Sequence, residues 1–330
     1  MRTVRDIRIF QNIPILVRAA LNVPVENGEV VNDYRLRRAL PTIQFLAERG
    51  ARVILISHLG EQGTETLKPV AKALGRLTRD VSFFDETIGA RVREAVRNLV
   101  PGHILVLENL RRNKGERMND RAFAKELAAL ADVFVQDCFD TCHRPHASII
   151  GVPLLLPSYA GLLLEDEVRE LSRALAPRSP SLAVIGGAKF STKEAVLTAL
   201  LRTYDQVFVG GALANDFLKV SGHNVGKSLV SETVNEKEVR GLLANPKLVL
   251  PVDSVVVRDM VLDHGSGTIA LLAKLASDAK TILWNGPLGK YEEGFVDATN
   301  GFARAVADSG AHSVVGGGDT VAAIEGLGLL

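Results

Sequence analysis

The chain has 330 residues, 47% of them hydrophobic and 23% charged, a balance with enough apolar surface for large cores that excludes a disordered chain. With 39 Lys plus Arg against 38 Asp plus Glu, the formal charge of +1 excludes a broad face for nucleic acid, so an anionic ligand has to be met locally. No run approaches the roughly 18 uninterrupted apolar residues of a membrane span, no secretory leader is expected, and two cysteines four apart make no disulfide framework; a cytoplasmic protein is the expectation.

Apolar runs of strand length alternate with helical patterns along the whole chain, which implies βαβ units and mostly parallel sheets. Strands are expected at 13–17, 52–56, 103–107 and 133–135, then at 182–185, 206–209, 248–250, 281–283 and 312–315. Helical spacing covers 34–49, 67–78, 120–131, 192–203, 268–277 and 295–309. Asp33 is the expected N-cap of the first helix, and Pro41 inside it predicts a kink, because proline removes a backbone hydrogen bond. A helix at 162–175, ended by Ala176-Pro177-Arg178-Ser179-Pro180, reads as a connector. The predicted architecture is α/β, with two doubly wound Rossmann-like domains, 1–160 and 161–330, joined by that hinge helix.

In open parallel sheets, ligands bind beyond the carboxyl ends of the strands. Those of the first half run into Arg18 and Asn22, Ser57-His58, Glu108-Asn109-Leu110-Arg111, and Asp137 with Arg144 beyond. Planar guanidinium forks suit a carboxylate or phosphate, so this half is the expected acceptor side. The second half delivers Gly186-Gly187-Ala188-Lys189, Gly210-Gly211, Asp253, Asn285-Gly286-Pro287 and Gly316-Gly317-Gly318-Asp319-Thr320. Glycines between strand and helix let the backbone approach a phosphate, Lys189 and Lys193 add positive charge, and Asp319 is placed to hold the Mg²⁺ of a nucleotide; this half is the expected nucleotide side.

The strings Asn22-Val23-Pro24, Ser57-His58-Leu59-Gly60, Leu107-Glu108-Asn109-Leu110-Arg111, His143-Arg144-Pro145-His146, Gly186-Gly187-Ala188-Lys189, Gly226-Lys227-Ser228-Leu229, Leu250-Pro251-Val252-Asp253, Trp284-Asn285-Gly286-Pro287 and Gly316-Gly317-Gly318-Asp319-Thr320 resemble, in order, the phosphoglycerate kinase family. The resemblance implies reversible transfer of the acyl phosphate of 1,3-bisphosphoglycerate to ADP, with Mg²⁺, giving 3-phosphoglycerate and ATP by closure of two lobes. It implies that Asn22, Arg35, His58, Arg111 and Arg144 contact the glycerate ligand, with Arg35 also facing the transferring phosphoryl group. By the same resemblance Lys189 and Lys193 face the nucleotide phosphates, Gly211 lies near adenine, Asn285 and Pro287 near the nucleotide, and Glu292 near the ribose. Asp319 carries the metal, with Gly317, Gly318 and Thr320 around the phosphates; Arg35, Lys189 and Gly318 make up the catalytic set. A monomer acting on small molecules, without nucleic acid or membrane as partner, is expected.

The chain departs from the family pattern at several positions. Ala20 stands where an aspartate binds a glycerate hydroxyl, Glu61 where an arginine faces the phosphate, Asp140 where a glycine is usual, and Ala212 where a third glycine is common. The family also continues beyond Gly328-Leu329-Leu330 and is longer between Asp259 and Thr268. These departures support a second reading, a weakly active or non-catalytic nucleotide-binding relative. A dehydrogenase is a distant third, since no Gly-x-Gly-x-x-Gly follows the first strand. Cys138, Cys142, His143 and His146 have spacings that suit zinc, but the family string has small residues at both cysteine positions, so two buried thiols are expected. Arg37, Arg38 and Arg112 are expected as solvated charges, Lys227 equally as a surface charge or a phosphate contact, and Trp284 as core packing.

Overall fold

The computed structural model describes residues 1–187, 190, 193–231 and 235–329. They divide into two compact units, Met1–Arg169 and Glu170–Leu330. Lys189 and the first two residues of the expected helix at 192–203 fall partly outside the described residues: Lys189 and Thr192 are among those left out.

The first unit runs β1 (Pro14–Ala19), β2 (Val25–Glu26), β3 (Glu29–Val30), α1 (Tyr34–Ala47), β4 (Arg52–Ile56), α2 (Lys68–Leu77), β5 (Val81–Phe84), α3 (Ala90–Asn98), β6 (Ile104–Leu107), α4 (Lys114–Arg117), α5 (Arg121–Ala128), β7 (Val133–Asp137) and β8 (Ser158–Ala160). Six strands form one parallel sheet in the order β5-β6-β4-β1-β7-β8. Along β1 the side chains alternate between two cores: Ile15, Val17 and Ala19 pack with Leu36 and Ile43 of α1 and Val70 of α2, while Leu16 packs with Val92 of α3 and Phe123 of α5. A strand buried on both faces reads as a continuous apolar run, which is why β1 and β4 are legible in the sequence.

Helix α6 (Leu162–Leu175) spans the division between the units. The second unit continues with β9 (Ser181–Ile185), α7 (Glu194–Thr203), β10 (Gln206–Val209), α8 (Leu213–Val220), α9 (Glu236–Leu243), β11 (Leu248–Val249), β12 (Ser254–Val257), β13 (Met260–His264), α10 (Ser266–Asp278), β14 (Thr281–Asn285), α11 (Asp297–Asp308), β15 (His312–Gly316) and α12 (Gly318–Gly326). Its parallel sheet has the order β11-β10-β9-β14-β15. Leu182 and Val184 face a core with α10, α11 and α12, and Ala183 and Ile185 face one with α7 and α8. In both sheets the strand order reverses beside the first strand, at β1/β7 and at β9/β14, the place where open α/β sheets leave a crevice.

Asp33 is the N-cap residue of α1, as expected, though its carboxylate makes no capping bond and pairs with Arg37, while Asn32 accepts from the Tyr34 amide. Arg112 is exposed, as expected, and also donates to Glu108, a carboxylate only 4% exposed. One expectation needs correction: Cys138 is buried but Cys142 is exposed, so the two thiols do not share a core. Pro41 lies within α1, which continues to Ala47. Two antiparallel pairs, β2–β3 and β12–β13, turn through Asn27-Gly28 and Arg258-Asp259. All four turn residues have positive φ, the backbone a two-residue hairpin demands.

Candidate functional site

In the first unit, the loops after β1, β4, β6 and β7 converge on a cavity of about 400 Å³. Asn22, Val23, Pro24, His58, Leu59, Gly60, Glu61, Arg111, Asp140, Thr141 and Arg144 line it. Arg35, from the first turn of α1, joins at its edge: Nη1 donates to Asn22 Oδ1 at 3.0 Å and to Asp140 Oδ2 at 2.6 Å. All five residues expected at the acceptor side are therefore gathered around one space, Arg35 through Asn22 and the other four in its lining.

Behind the cavity lies Arg18, 1% exposed inside the apolar run of β1. Its Nη2 donates to His58 Nδ1 at 2.8 Å, its Nε to Ser148 Oγ at 3.2 Å and its Nη1 to the Ala19 carbonyl at 3.1 Å. Ser148 in turn donates Oγ–H at 2.6 Å to Glu116, a fully buried carboxylate. A guanidinium can only donate, so His58 Nδ1 accepts and the ring proton sits on Nε2. Burial first, then the charges of Arg18 and Arg111, push the His58 pKa down to about 3. His58 thus offers the cavity wall a neutral N–H donor.

Arg111 is placed by Asn109 at the end of β6. The Asn109 amide donates to the Leu59 and Glu65 carbonyls, and its Oδ1 accepts from the amides of Leu59 and Arg111. Arg111 Nη1 donates to the Gly60 carbonyl at 2.6 Å, while its Nε is buried with no partner among the described residues. Its pKa is lowered, by burial first and then by the nearby charges of Arg117, Arg18 and Arg144. Cations held together against their own repulsion form a receptor that an anion relieves. Glu108 and Asn109 belong to the quoted strings without an assigned role, and Glu116 and Ser148 are supporting residues that motif reading passes over. Their signal in the sequence is a polar residue abutting an apolar run, and that signal does not say which loop it will tie down.

The second unit builds its rim from backbone. A Cβ at Gly186 would lie 2.2 Å from the Pro287 carbonyl oxygen, and one at Gly211 would lie 3.0 Å from both the Gly187 nitrogen and that same oxygen. The ends of β9, β10 and β14 therefore touch main chain to main chain, with Gly187 and Gly211 at φ +113° and +62°. Lys193 lies over Gly187 and donates Nζ to Asn285 Oδ1 at 2.8 Å; burial lowers its pKa. Thr320 Oγ1 accepts from the Gly286 amide at 2.9 Å, and Gly317, at φ +94°, abuts Asn285 and Thr320. Trp284 is core, packed edge-on to Phe302, but its Nε1 also donates to the Gly286 carbonyl and so holds the loop.

Thus Lys193, Gly211, Asn285, Pro287, Gly317 and Thr320 come together, and Gly318 opens α12 beside them in sequence with open space around it. Lys189 lies outside the described residues. Asp319 is exposed in the first turn of α12, and its carboxylate has no partner among the described residues. Glu292 is exposed in the turn Tyr291–Glu293, and among the described residues no hydrogen bond or ion pair ties it to the rim. Lys227 is exposed; its amide donates to the Asp259 carbonyl. Around Cys138 and Cys142, and elsewhere among the described residues, no group of three His, Cys, Asp or Glu side chains could hold a metal ion. The Cys138 thiol, pushed up to about 12 by burial, instead donates to Asp140 at 2.8 Å. Among the described residues no helix is long and apolar enough to cross a membrane.

A family model described as phosphoglycerate kinase matches residues 4–330. A phosphoglycerate kinase of Desulforudis audaxviator is 44% identical over 361 residues, covering 100% of this chain and 91% of its own. One of Rubrobacter xylanophilus is also 44% identical, covering 99% and 90%. Among solved structures, phosphoglycerate kinase from Pyrococcus horikoshii OT3 superposes with a TM-score of 0.90 at 29% identity, covering 99% of this chain and 91% of that one. The enzyme from Coxiella burnetii gives 0.83 at 39% identity, covering 99% and 90%.

Proposed function

The chain belongs to the phosphoglycerate kinase family, whose members are phosphotransferases, and from that premise we propose that it moves the acyl phosphate of 1,3-bisphosphoglycerate reversibly to ADP. The P–O bond to the acyl oxygen breaks as one to a β-phosphate oxygen of ADP forms, leaving 3-phosphoglycerate and ATP. The observation that carries the reading is the arginine cluster: Arg35, Arg111 and Arg144 around the cavity of the first unit, with Arg18 buried behind it and the Arg111 pKa lowered by burial and then by its neighbours' charge.

In this reading Asn22, His58, Arg111 and Arg144 hold the glycerate, with His58 donating from Nε2. Arg35 neutralises charge on the transferring phosphoryl group. Little covalent work falls to the protein, because phosphoryl transfer needs positioning and charge compensation. The nucleotide lies at the glycine rim of the second unit, with adenine toward Gly211, the nucleotide against Asn285 and Pro287, and Glu292 toward the ribose. Lys189 and Lys193 supply charge to its phosphates. The amides of Gly318, Asp319 and Thr320 precede the first intrahelical bond of α12, made by the Val321 amide, and so are free to donate to a phosphate.

Magnesium takes one or two carboxylates together with phosphate oxygens rather than a protein cage, and an exposed Asp319 carboxylate beside those amides fits that donor set. Bound there, Mg²⁺ would neutralise phosphate charge. A cytoplasmic monomer is part of the same reading, supported by the exposed free thiol of Cys142, which suits a reducing compartment.

A coupled assay of ATP formation from 1,3-bisphosphoglycerate and ADP tests the proposal. Arg111→Ala is expected to raise the KM for the glycerate by roughly tenfold or more, in line with about 1.5 to 3 kcal/mol for a charged hydrogen bond. No ATP formation by the unaltered chain, or an unchanged KM in the variant, removes the assignment.

A further inference from the structure

Asp140 lies on the single turn Phe139–Thr141 after β7, at the cavity wall. Its Oδ2 accepts from Arg35 Nη1 at 2.6 Å and from Asn22 Nδ2 at 3.1 Å, while Asn22 Oδ1 accepts from the same Arg35 nitrogen at 3.0 Å. Its Oδ1 accepts from the Cys138 thiol at 2.8 Å. Three side chains thus close a triangle, and a fourth anchors it from the core. The turn is held in place from below, where Cys138 packs on Ala20 and Leu163.

Burial works to raise the Asp140 pKa, but the bonds from Cys138, Arg35 and Asn22 outweigh it and hold it at about 2. The group is a fixed negative charge at any working pH. Two other carboxylates face this region. Glu61 lines the cavity without an ion pair among the described residues, and Glu167 of α6, its pKa raised by burial and then by the Asp140 charge, feels Arg35 at longer range. Among the described residues Asp140 is the one carboxylate that bonds Arg35 directly.

The geometry points to Asp140 as a resident competitor that sets the affinity of the acceptor site: its carboxylate holds Arg35, and an incoming anion gains that guanidinium only by taking it from Asp140. This inference rests on the acceptor-site reading above. An arginine cluster with no internal carboxylate would hold a multiply charged anion tightly and release it slowly. With Asp140 present the exchange is one carboxylate or phosphate for another, so the net gain from Arg35 is small and release is eased. Asp140 and Arg35 are each more than a third exposed, so the exchange needs no rearrangement of the core.

The test is the dissociation constant for 3-phosphoglycerate, by calorimetry, of the unaltered chain, Asp140→Asn, Arg35→Ala, the double variant and Arg144→Ala. Asparagine keeps the shape and removes the charge. We expect Asp140→Asn to bind about tenfold more tightly, the scale of one charge-assisted hydrogen bond from Arg35 that the anion no longer has to win from a carboxylate, and the same change to alter binding by less than about threefold when Arg35 is already alanine. Unchanged or weaker binding by Asp140→Asn overturns the inference, as does an equal gain without Arg35. If Arg144→Ala binds like the unaltered chain, the acceptor-site reading itself falls and takes this one with it. If Arg144→Ala loses binding while Asp140→Asn gains none, only the role of Asp140 falls.

Discussion

The two units finish the ends of their parallel strands with different materials. The first uses side chains: guanidinium groups fixed by a buried relay of Glu116, Ser148, Arg18 and His58, and by the Asn109 amide. The second uses main chain: glycines pressed against the Pro287 carbonyl, with Thr320 and Trp284 pinning Gly286. A side-chain receptor can be rewired by one substitution, because a new carboxylate finds a neighbour to bond. Asp140 bonds Arg35 and Asn22 in this way. A backbone receptor has no such slack, since a single Cβ collides with atoms that cannot rotate away.

The largest effect expected is on turnover. Arg35→Ala should lower kcat by roughly 100-fold or more, the scale of losing one transition-state charge stabiliser, read in the coupled assay. Near-normal turnover would mean that side-chain charge is not what the first unit contributes.

Gly186→Ala comes next. Its new methyl would sit 2.2 Å from a backbone oxygen, so denaturant unfolding should show a loss of about 1 to 3 kcal/mol. Glu61→Ala, at an exposed cavity-wall position, should stay within about 0.5 kcal/mol. Equal effects from the two would erase the contrast between rigid rim and adaptable pocket.

A further effect concerns acid. The folded chain refuses a proton at His58 until about pH 3, whereas an unfolded histidine takes one near 6.5. The stability tied to that neutral ring is therefore whole above 6.5 and lost progressively as pH falls toward 3. His58→Gln should flatten the fall in unfolding free energy between pH 7 and 5 by up to about 2 kcal/mol. His264 in the second unit, pushed down to about 4 by burial and bonded through Nε2 to the Gly211 amide, should behave alike in the same window. Asp137, raised to about 6 by burial, works in the opposite sense: its contribution is whole below about pH 4 and lost as pH rises through 6. An unchanged slope in His58→Gln would show that its ring does not titrate as a buried neutral group.

Much of the fold was legible because buried parallel strands are apolar on both faces. The runs at 52–56 and 206–209 are strands over those same residues. The edge strand Val81–Phe84, with Ser82 exposed, and the three-residue β8 were not legible, because an edge gives only a short and mixed pattern. Helix α8 hid for a different reason: Asn215 and Asp216 are buried in it, and the Asp216 carboxylate accepts from the amide and hydroxyl of Ser231. Its eight residues also make barely two turns, a window too short for helical spacing to stand out.

By itself the sequence determined which chemistry each strand end carries, since arginines after β1, β6 and β7 and glycines after β9, β10 and β14 are local facts of composition. It also pointed to two mostly parallel α/β sheets, through the alternation of short apolar runs and helical spacing. What only the tertiary structure decided is which of those groups face one another. Arg35 and Asp140 are 105 positions apart and Arg18 and Ser148 are 130 apart, and they meet because β1 lies between β4 and β7 in the sheet. Strand order and register are set by the packing of whole faces, which no local window of residues contains.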